Sequence, residues 1–287
     1  MRLKENPDQM TARAIAARWG LEIHCKVAET KRADIYKTTS PQGSAALKLY
    51  KKIGASGEGA AIQFMRDLPP NVGPRIYRIN FLRTAVLMEW LEGHTIENLV
   101  ASNDDCGAMK HLATTANAIG AANFKYQFIY KRVIPKLQRK FATYLARSNE
   151  TMSVELKQAM RHLDHLVKTT TKERVVHGDL HFGNIILTPE GPRMIDPKGL
   201  RCDPAFEFAK SICRPFGEIP PDDFAARTKK RAEICAADND FDPSRIIQWA
   251  VVRFAPRTFH QPDKNTNSHA LRPYLKTLLD LTEGALS

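Results

Sequence analysis

Long apolar runs are missing from this chain of 287 residues. No stretch of about 18 apolar residues occurs, so no transmembrane helix is expected. The opening residues, Met1-Arg2-Leu3-Lys4-Glu5-Asn6-Pro7-Asp8, lack the apolar core of a secretory signal. Cysteine is sparse: Cys25, Cys106, Cys202, Cys213 and Cys235 are scattered, odd in number and without a Cys-x-x-Cys pair. That pattern suggests neither a disulfide framework nor a zinc site, and reduced thiols in a cytoplasmic protein are the expectation. Internal repeats, low-complexity tracts and recognised nucleic-acid motifs are also lacking. The length suits one domain of two lobes or two small domains.

Charge is present in excess of one sign. The formal net charge is +12, unevenly placed. From Lys125 to Arg174 twelve Lys or Arg face four Asp or Glu; from Asp203 to Asp242 six face nine. A basic surface can bind nucleic acid or attract an anion such as ATP. The basic stretch, however, carries Val133, Leu137, Phe141 and Leu145, then Leu156, Met160, Leu163 and Val167, at helical spacing. Its charges therefore read as the solvated faces of core helices, and a nucleic-acid partner is not expected.

The informative stretch is Val175-Val176-His177-Gly178-Asp179-Leu180-His181-Phe182-Gly183-Asn184-Ile185-Ile186-Leu187, followed by Met194-Ile195-Asp196-Pro197-Lys198-Gly199. Asp179 lies five residues before Asn184, between two strand-like runs, and Asp196 follows one short hairpin later. Phosphoryl transfer from ATP needs such a set: a carboxylate to take a hydroxyl proton, and an amide and a second carboxylate to hold magnesium. Asp179 is the candidate base, and Asn184 and Asp196 the candidate Mg2+ ligands. His177 and His181 are four apart, as in a helical zinc pair. Gly178 and Gly183 argue against a helix, so His177 reads as a scaffold for the loop, and His181 as a solvated loop residue or an acceptor contact.

This loop resembles the aminoglycoside phosphotransferase and protein-kinase-like superfamily. Asp196-Pro197-Lys198-Gly199 with Asp203-Pro204-Ala205 is similar to the aminoglycoside/hydroxyurea antibiotic resistance kinases, which include streptomycin 6-phosphotransferases. The resemblance implies a two-lobed α+β fold: a five-stranded antiparallel sheet with one main helix over residues 1–91, then a mostly helical lobe over 92–287. It implies ATP and Mg2+ as cofactors and a small-molecule hydroxyl acceptor, an aminoglycoside such as streptomycin, or hydroxyurea. Lys48, in Ala46-Leu47-Lys48-Leu49-Tyr50, resembles the strand lysine that contacts the α- and β-phosphates. Glu58 resembles its helix partner, though an acidic residue in a first helical turn is favourable anyway. Glu89-Trp90-Leu91 resembles the hinge, where backbone groups near Glu89 and Leu91 would contact adenine. Lys198 either stabilises the transferring phosphoryl group or serves as a structural ion-pair partner.

Two departures matter. No glycine stands in Glu29-Thr30-Lys31-Arg32-Ala33-Asp34, where protein kinases carry a Gly-rich phosphate cover. No Ala-Pro-Glu segment follows Asp196, which weighs against a Ser/Thr protein kinase. A non-catalytic nucleotide-binding module has only the glycine-free loop in its favour, since a pure binder needs no base. A polycationic acceptor is repelled by a basic protein unless acidic groups dominate locally, and Asp203, Glu207, Asp222 and Asp223 are the candidates. Asp203 also reads as a helix N-cap ahead of Pro204.

Overall fold

Alternating side chains build the first part of the molecule. The computed structural model describes residues 7–51, 58–80, 84–147, 150–214, 220–258 and 271–283. In it β1 (Glu22–Glu29), β2 (Ala33–Ser40), β3 (Gly43–Tyr50), β4 (Ile76–Ile79) and β5 (Ala85–Glu89) form one antiparallel sheet, in the order β1-β2-β3-β5-β4. Successive strand residues point to opposite faces. Tyr36, Ala45, Leu47, Leu49 and Leu87 pack on one face with Ala12 and Trp19 of α1 (Pro7–Trp19). Ala33, Tyr50 and Val86 pack with Ile62 of α2 (Glu58–Asp67). The sheet therefore has a helix for each of these two clusters, α2 being the main helix expected of this lobe. Lys48 falls between Leu47 and Leu49, so the pleat turns it away from the face that α1 covers.

The second part is mostly helical. α3 (Glu97–Ala101), α4 (Asp105–Ala121), α5 (Val133–Leu145), α6 (Glu150–Thr169), α7 (Phe224–Ala236), α8 (Pro243–Thr258) and α9 (Arg272–Asp280) follow in chain order. Val133, Phe141, Leu156 and Leu163 are buried in its core, and Leu137, Leu145, Met160 and Val167 pack against it. Lys136, Arg139, Lys140, Lys157, Arg161 and Lys168 are exposed, so the basic stretch does lie on solvated helix faces. Among the described residues no helix is long and apolar enough to cross a membrane. Cys202, Cys213 and Cys235 are buried free thiols, and Cys25 and Cys106 are also unbridged.

Two small sheets place the candidate site. β7 (Lys131–Arg132), β11 (Leu200–Cys202) and β8 (Arg174–Val176) form one, with β11 in the middle. β9 (Ile185–Thr188) and β10 (Gly191–Met194) form a hairpin, pairing Ile185 with Met194, and β6 (His94–Thr95) lies along β9. The segment after Asp203 differs from expectation. It is a single 3-10 turn, Pro204–Glu207, rather than the start of a longer helix. Asp203 does cap it, accepting the Ala205 N–H at 2.9 Å.

The sheet and the helical part are joined by a buried arginine. Arg193 of β10 donates to both oxygens of Glu89, at 2.9 and 2.6 Å, and to the Pro70 and Gly73 carbonyls at 2.6 and 2.7 Å. Hydrogen bonds from Arg193 outweigh burial and lower the Glu89 carboxyl below its usual range. Close by, the chain passes β9 at Gly93, where φ is +147° and a Cβ would lie 2.2 Å from the Leu187 carbonyl oxygen. Only glycine fits so close an approach. Arg193→Met should lower the unfolding free energy by about 3 kcal/mol, the cost of breaking a largely buried ion pair. Denaturant titration of both proteins checks this, and coincident curves would exclude Arg193 as a clasp.

Candidate active site

The loop from β8 to β9 is built around a buried histidine. His177 is fully buried, and its Nε2 donates to the Ile195 carbonyl at 2.9 Å. Nδ1 is then the acceptor, and takes the Asp179 N–H at 3.2 Å. Burial lowers the imidazole to about 4, so the ring is neutral near pH 7, as these two bonds require. Gly178 takes φ +78°, and a Cβ there would lie 2.6 Å from Leu200 Cδ1. This turn swings Asp179 out of the core.

The hairpin brings the other groups to the same place. Asn184 donates from Nδ2 to the Asp179 carbonyl at 3.1 Å, and its own carbonyl accepts the Ile195 N–H at 2.9 Å. Asp196 is therefore the residue immediately after that bond. It has φ +55°, a left-handed conformation that costs a non-glycine residue about 1 kcal/mol or more. Backbone outliers of this kind concentrate at functional positions. Its side chain is 63% exposed, and Oδ1 accepts from Lys48 Nζ at 2.7 Å. Lys48 of the five-stranded sheet thus meets the hairpin carboxylate. Glu58 opens α2, and its side chain lies outside the described residues.

Asp179 is surrounded by cations. Lys198 Nζ lies 2.9 Å from Oδ2; Lys210 Nζ and Arg253 Nη2 lie 2.7 and 3.2 Å from Oδ1. Burial pushes the Asp179 carboxyl up, but the hydrogen bonds from Lys210 and Lys198 win and hold it well below the usual carboxylate range. It is ionised, as a group that accepts a proton must be. Lys198 is a neighbour of Asp179 itself rather than of the hairpin alone.

Lys210 and Arg253 were not legible as site residues. Arg253 had one sequence signal: it is the lone charge in Trp249-Ala250-Val251-Val252-Arg253-Phe254, an otherwise apolar run of α8. Lys210 had none beyond its place three residues after Glu207.

Asp203 and Glu207, expected at the acceptor, are both bonded to protein groups. Both are buried. Asp203 accepts from Ala205 N–H, from Thr170 Oγ1 at 2.9 Å and from Arg245 Nε at 3.0 Å. Glu207 lies under the loop and accepts the His177 and Gly178 N–H groups at 2.5 and 3.1 Å. These bonds engage the oxygens that an acceptor would need. Burial pushes Glu207 up to about 7, against the pull of those donors. His181 is half-buried rather than solvated. Its Nδ1 accepts the Gly183 N–H at 3.1 Å, and burial lowers it to about 4.

The glycine-free loop holds itself closed by side-chain bonds. Thr30 Oγ1 accepts the Ala33 and Arg32 N–H groups and donates to the Ala33 carbonyl at 2.9 Å. Its hydroxyl is thereby engaged, while Lys31 and Arg32 stay exposed. In Glu89-Trp90-Leu91, the expected hinge, the Glu89 N–H bonds to the Arg75 carbonyl at 2.8 Å, the Trp90 N–H to the Ser44 carbonyl at 3.2 Å, and Leu91 is buried.

No curated protein sequence matches the chain. Several solved structures share its fold. One is a choline/ethanolamine kinase family protein from Mesorhizobium loti, 11% identical, covering 95% of this chain and 98% of that one at a TM-score of 0.68. Another is a thermostable mutant of aminoglycoside phosphotransferase APH(4)-Ia in a ternary complex with AMP-PNP and hygromycin B, 13% identical, covering 95% and 98% at 0.66. A third is choline kinase LicA from Streptococcus pneumoniae, 11% identical, covering 96% and 99% at 0.65. Identities this low show the fold, a two-lobed protein-kinase-like one. Residues 18–257 match the aminoglycoside/hydroxyurea antibiotic resistance kinase family, and the chain belongs to that family of small-molecule phosphotransferases acting on hydroxyl groups.

Proposed function

We propose that the chain transfers the γ-phosphate of ATP, with magnesium, to a hydroxyl of a small molecule. One observation carries the reading: Asp179, Asn184, Asp196 and Lys48 converge through the Asn184–Asp179 bond of 3.1 Å and the Lys48–Asp196 pair of 2.7 Å. In this reading Asp179 accepts the hydroxyl proton and aligns the acceptor oxygen. Lys48 leaves Asp196 to hold the α- and β-phosphates. Backbone groups near Glu89 and Leu91 face adenine, and Lys198 lies beside Asp179 to balance charge on the transferring group.

The donor set fits magnesium. Asn184 Oδ1 and Asp196 Oδ2 have no protein partner among the described residues, and both are hard oxygen ligands. Among those residues no group of three or more His, Cys, Asp or Glu could hold a metal alone. Bound there, magnesium would neutralise developing phosphate charge.

Glu207 acts through the loop rather than on the substrate. Its bonds to the His177 and Gly178 N–H groups fix the turn from which Asp179 projects.

Asp179→Asn keeps the shape of the side chain but removes the base. Turnover should fall by about 10²–10⁴, with AMP-PNP affinity retained; undiminished turnover would reject the mechanism. Asp196→Ala should weaken magnesium–AMP-PNP binding, and superimposable titration curves would count against a metal ligand there. Glu207→Gln should lower kcat while leaving the acceptor KM nearly unchanged. A raised KM with normal kcat would place Glu207 at the acceptor after all.

A further inference from the structure

Two of the cations on Asp179 differ from the third in how they are held. Lys210 Nζ and Arg253 Nη2 lie 2.7 and 3.2 Å from Oδ1, and their side chains are 10% and 9% exposed. Lys198 Nζ lies 2.9 Å from Oδ2, and its side chain is 48% exposed. Arg253 is anchored at two further points. Its Nη2 also donates to the Gly178 carbonyl at 3.3 Å, and its guanidinium lies 4.8 Å from the centroid of the Phe206 ring. Lys210 is carried by a segment tied to the same loop, since the neighbouring Ser211 Oγ donates to the Leu180 carbonyl at 3.0 Å. Burial pushes Lys210 down to about 8 and Arg253 to about 10, so both are cations near pH 7.

The two oxygens of Asp179 are therefore unequal. A carboxylate oxygen offers two lone pairs. Those of Oδ1 are both engaged, by Lys210 and by Arg253. The backbone of Asp179 is fixed as well: its N–H bonds to His177 Nδ1, and its carbonyl accepts from Asn184. Among the described residues Lys198 is the one group at Oδ2, which leaves a lone pair there. A half-exposed lysine can also withdraw on its flexible stem. Hydrogen bonds from ionised donors are roughly twice as strong as neutral ones, so a neutral hydroxyl does not displace the buried pair from Oδ1. Nothing local makes this choice, because the terminal torsion of an aspartate is broad and nearly two-fold.

Resting on the phosphotransferase reading, we propose that Lys210 and Arg253 are positioning residues that hold Oδ1, so that Oδ2 faces the acceptor hydroxyl and takes its proton. Lys198 yields Oδ2 as the hydroxyl arrives. In the transfer the hydroxyl oxygen bonds to the γ-phosphorus. The bond from that phosphorus to the bridging oxygen breaks with its electron pair left on ADP, and the hydroxyl proton passes to Oδ2.

The test uses water in place of the acceptor. Magnesium-dependent ATP hydrolysis is measured for the full chain and for Lys210→Met, with AMP-PNP affinity read on the same samples. Lys210→Met should lower kcat by about 10²-fold, the scale for misplacing a reacting group by about 1 Å. The KM for ATP and the AMP-PNP affinity should be unchanged, and Lys210→Arg should restore most of the lost rate. In an Asp179→Asn background Lys210→Met should change the residual rate little, because no base is left to position. A crystal structure of the unaltered chain with magnesium and AMP-PNP should place the water in line with the γ-phosphorus on Oδ2, with Lys210 and Arg253 still on Oδ1. That structure decides the matter even if Lys210→Met does not fold. An unchanged kcat, equal losses in the two backgrounds, a raised KM with normal kcat, or the in-line water on Oδ1 would overturn the proposal. Failure of the unaltered chain to bind AMP-PNP removes the phosphotransferase reading and this assignment together; binding with any of those four outcomes removes the assignment alone.

Discussion

Glu207 lies beneath the β8–β9 loop with its carboxylate turned to the His177 and Gly178 N–H groups, and the groups around it are set by that arrangement. The loop backbone is fixed there before it turns outward at Gly178. The His177 ring then bridges Asp179 N–H to the Ile195 carbonyl, tying the loop to the hairpin return. Its own carbonyl accepts the Lys198 N–H at 2.9 Å, so the segment after Asp196 hangs from the same residue. A buried neutral imidazole can do this because it offers one donor and one acceptor in fixed directions.

Electrostatics divides the site into two regions. On the sheet side Lys48 meets Asp196, one cation to one carboxylate. On the α8 side Asp179 meets Lys198, Lys210 and Arg253. The first region is balanced, and in the proposed function a metal-bound polyphosphate would displace the pair. The second sets three cations against one carboxylate, and two of them, Lys210 and Arg253, are largely buried, where attraction is screened least. Net charge alone did not reveal this. Much of the +12 belongs to exposed helix faces such as those of α5 and α6, remote in role from the cations that matter.

Elements whose causes are local were readable in advance. The strands of the sheet follow from period-two alternation and the turns between them. The helical stripes of α5 and α6 follow from 3.6-residue spacing. Asp203 as a cap required only its own residue type and Pro204. The turn it caps stops at Glu207, however, because the following residues close on the loop: Ser211 Oγ bonds the Leu180 carbonyl at 3.0 Å, and Lys210 reaches Asp179. Such ties depend on which elements meet, and no local pattern encodes that.

The sequence alone determined the family, the fold class and the grouping of Asp179, Asn184 and Asp196. They lie within one loop and hairpin, and short-range geometry leaves them little choice. Tertiary structure decided what surrounds them. It joined Lys48 to Asp196 across 148 positions, Arg193 to Glu89 across 104, and Arg253 to Asp179 across 74. It also drew Asp203 and Glu207 into the scaffold. A charged side chain is silent about its partner until the chain closes around it, because its energy depends on distance and burial, and both are set by the packing of remote elements.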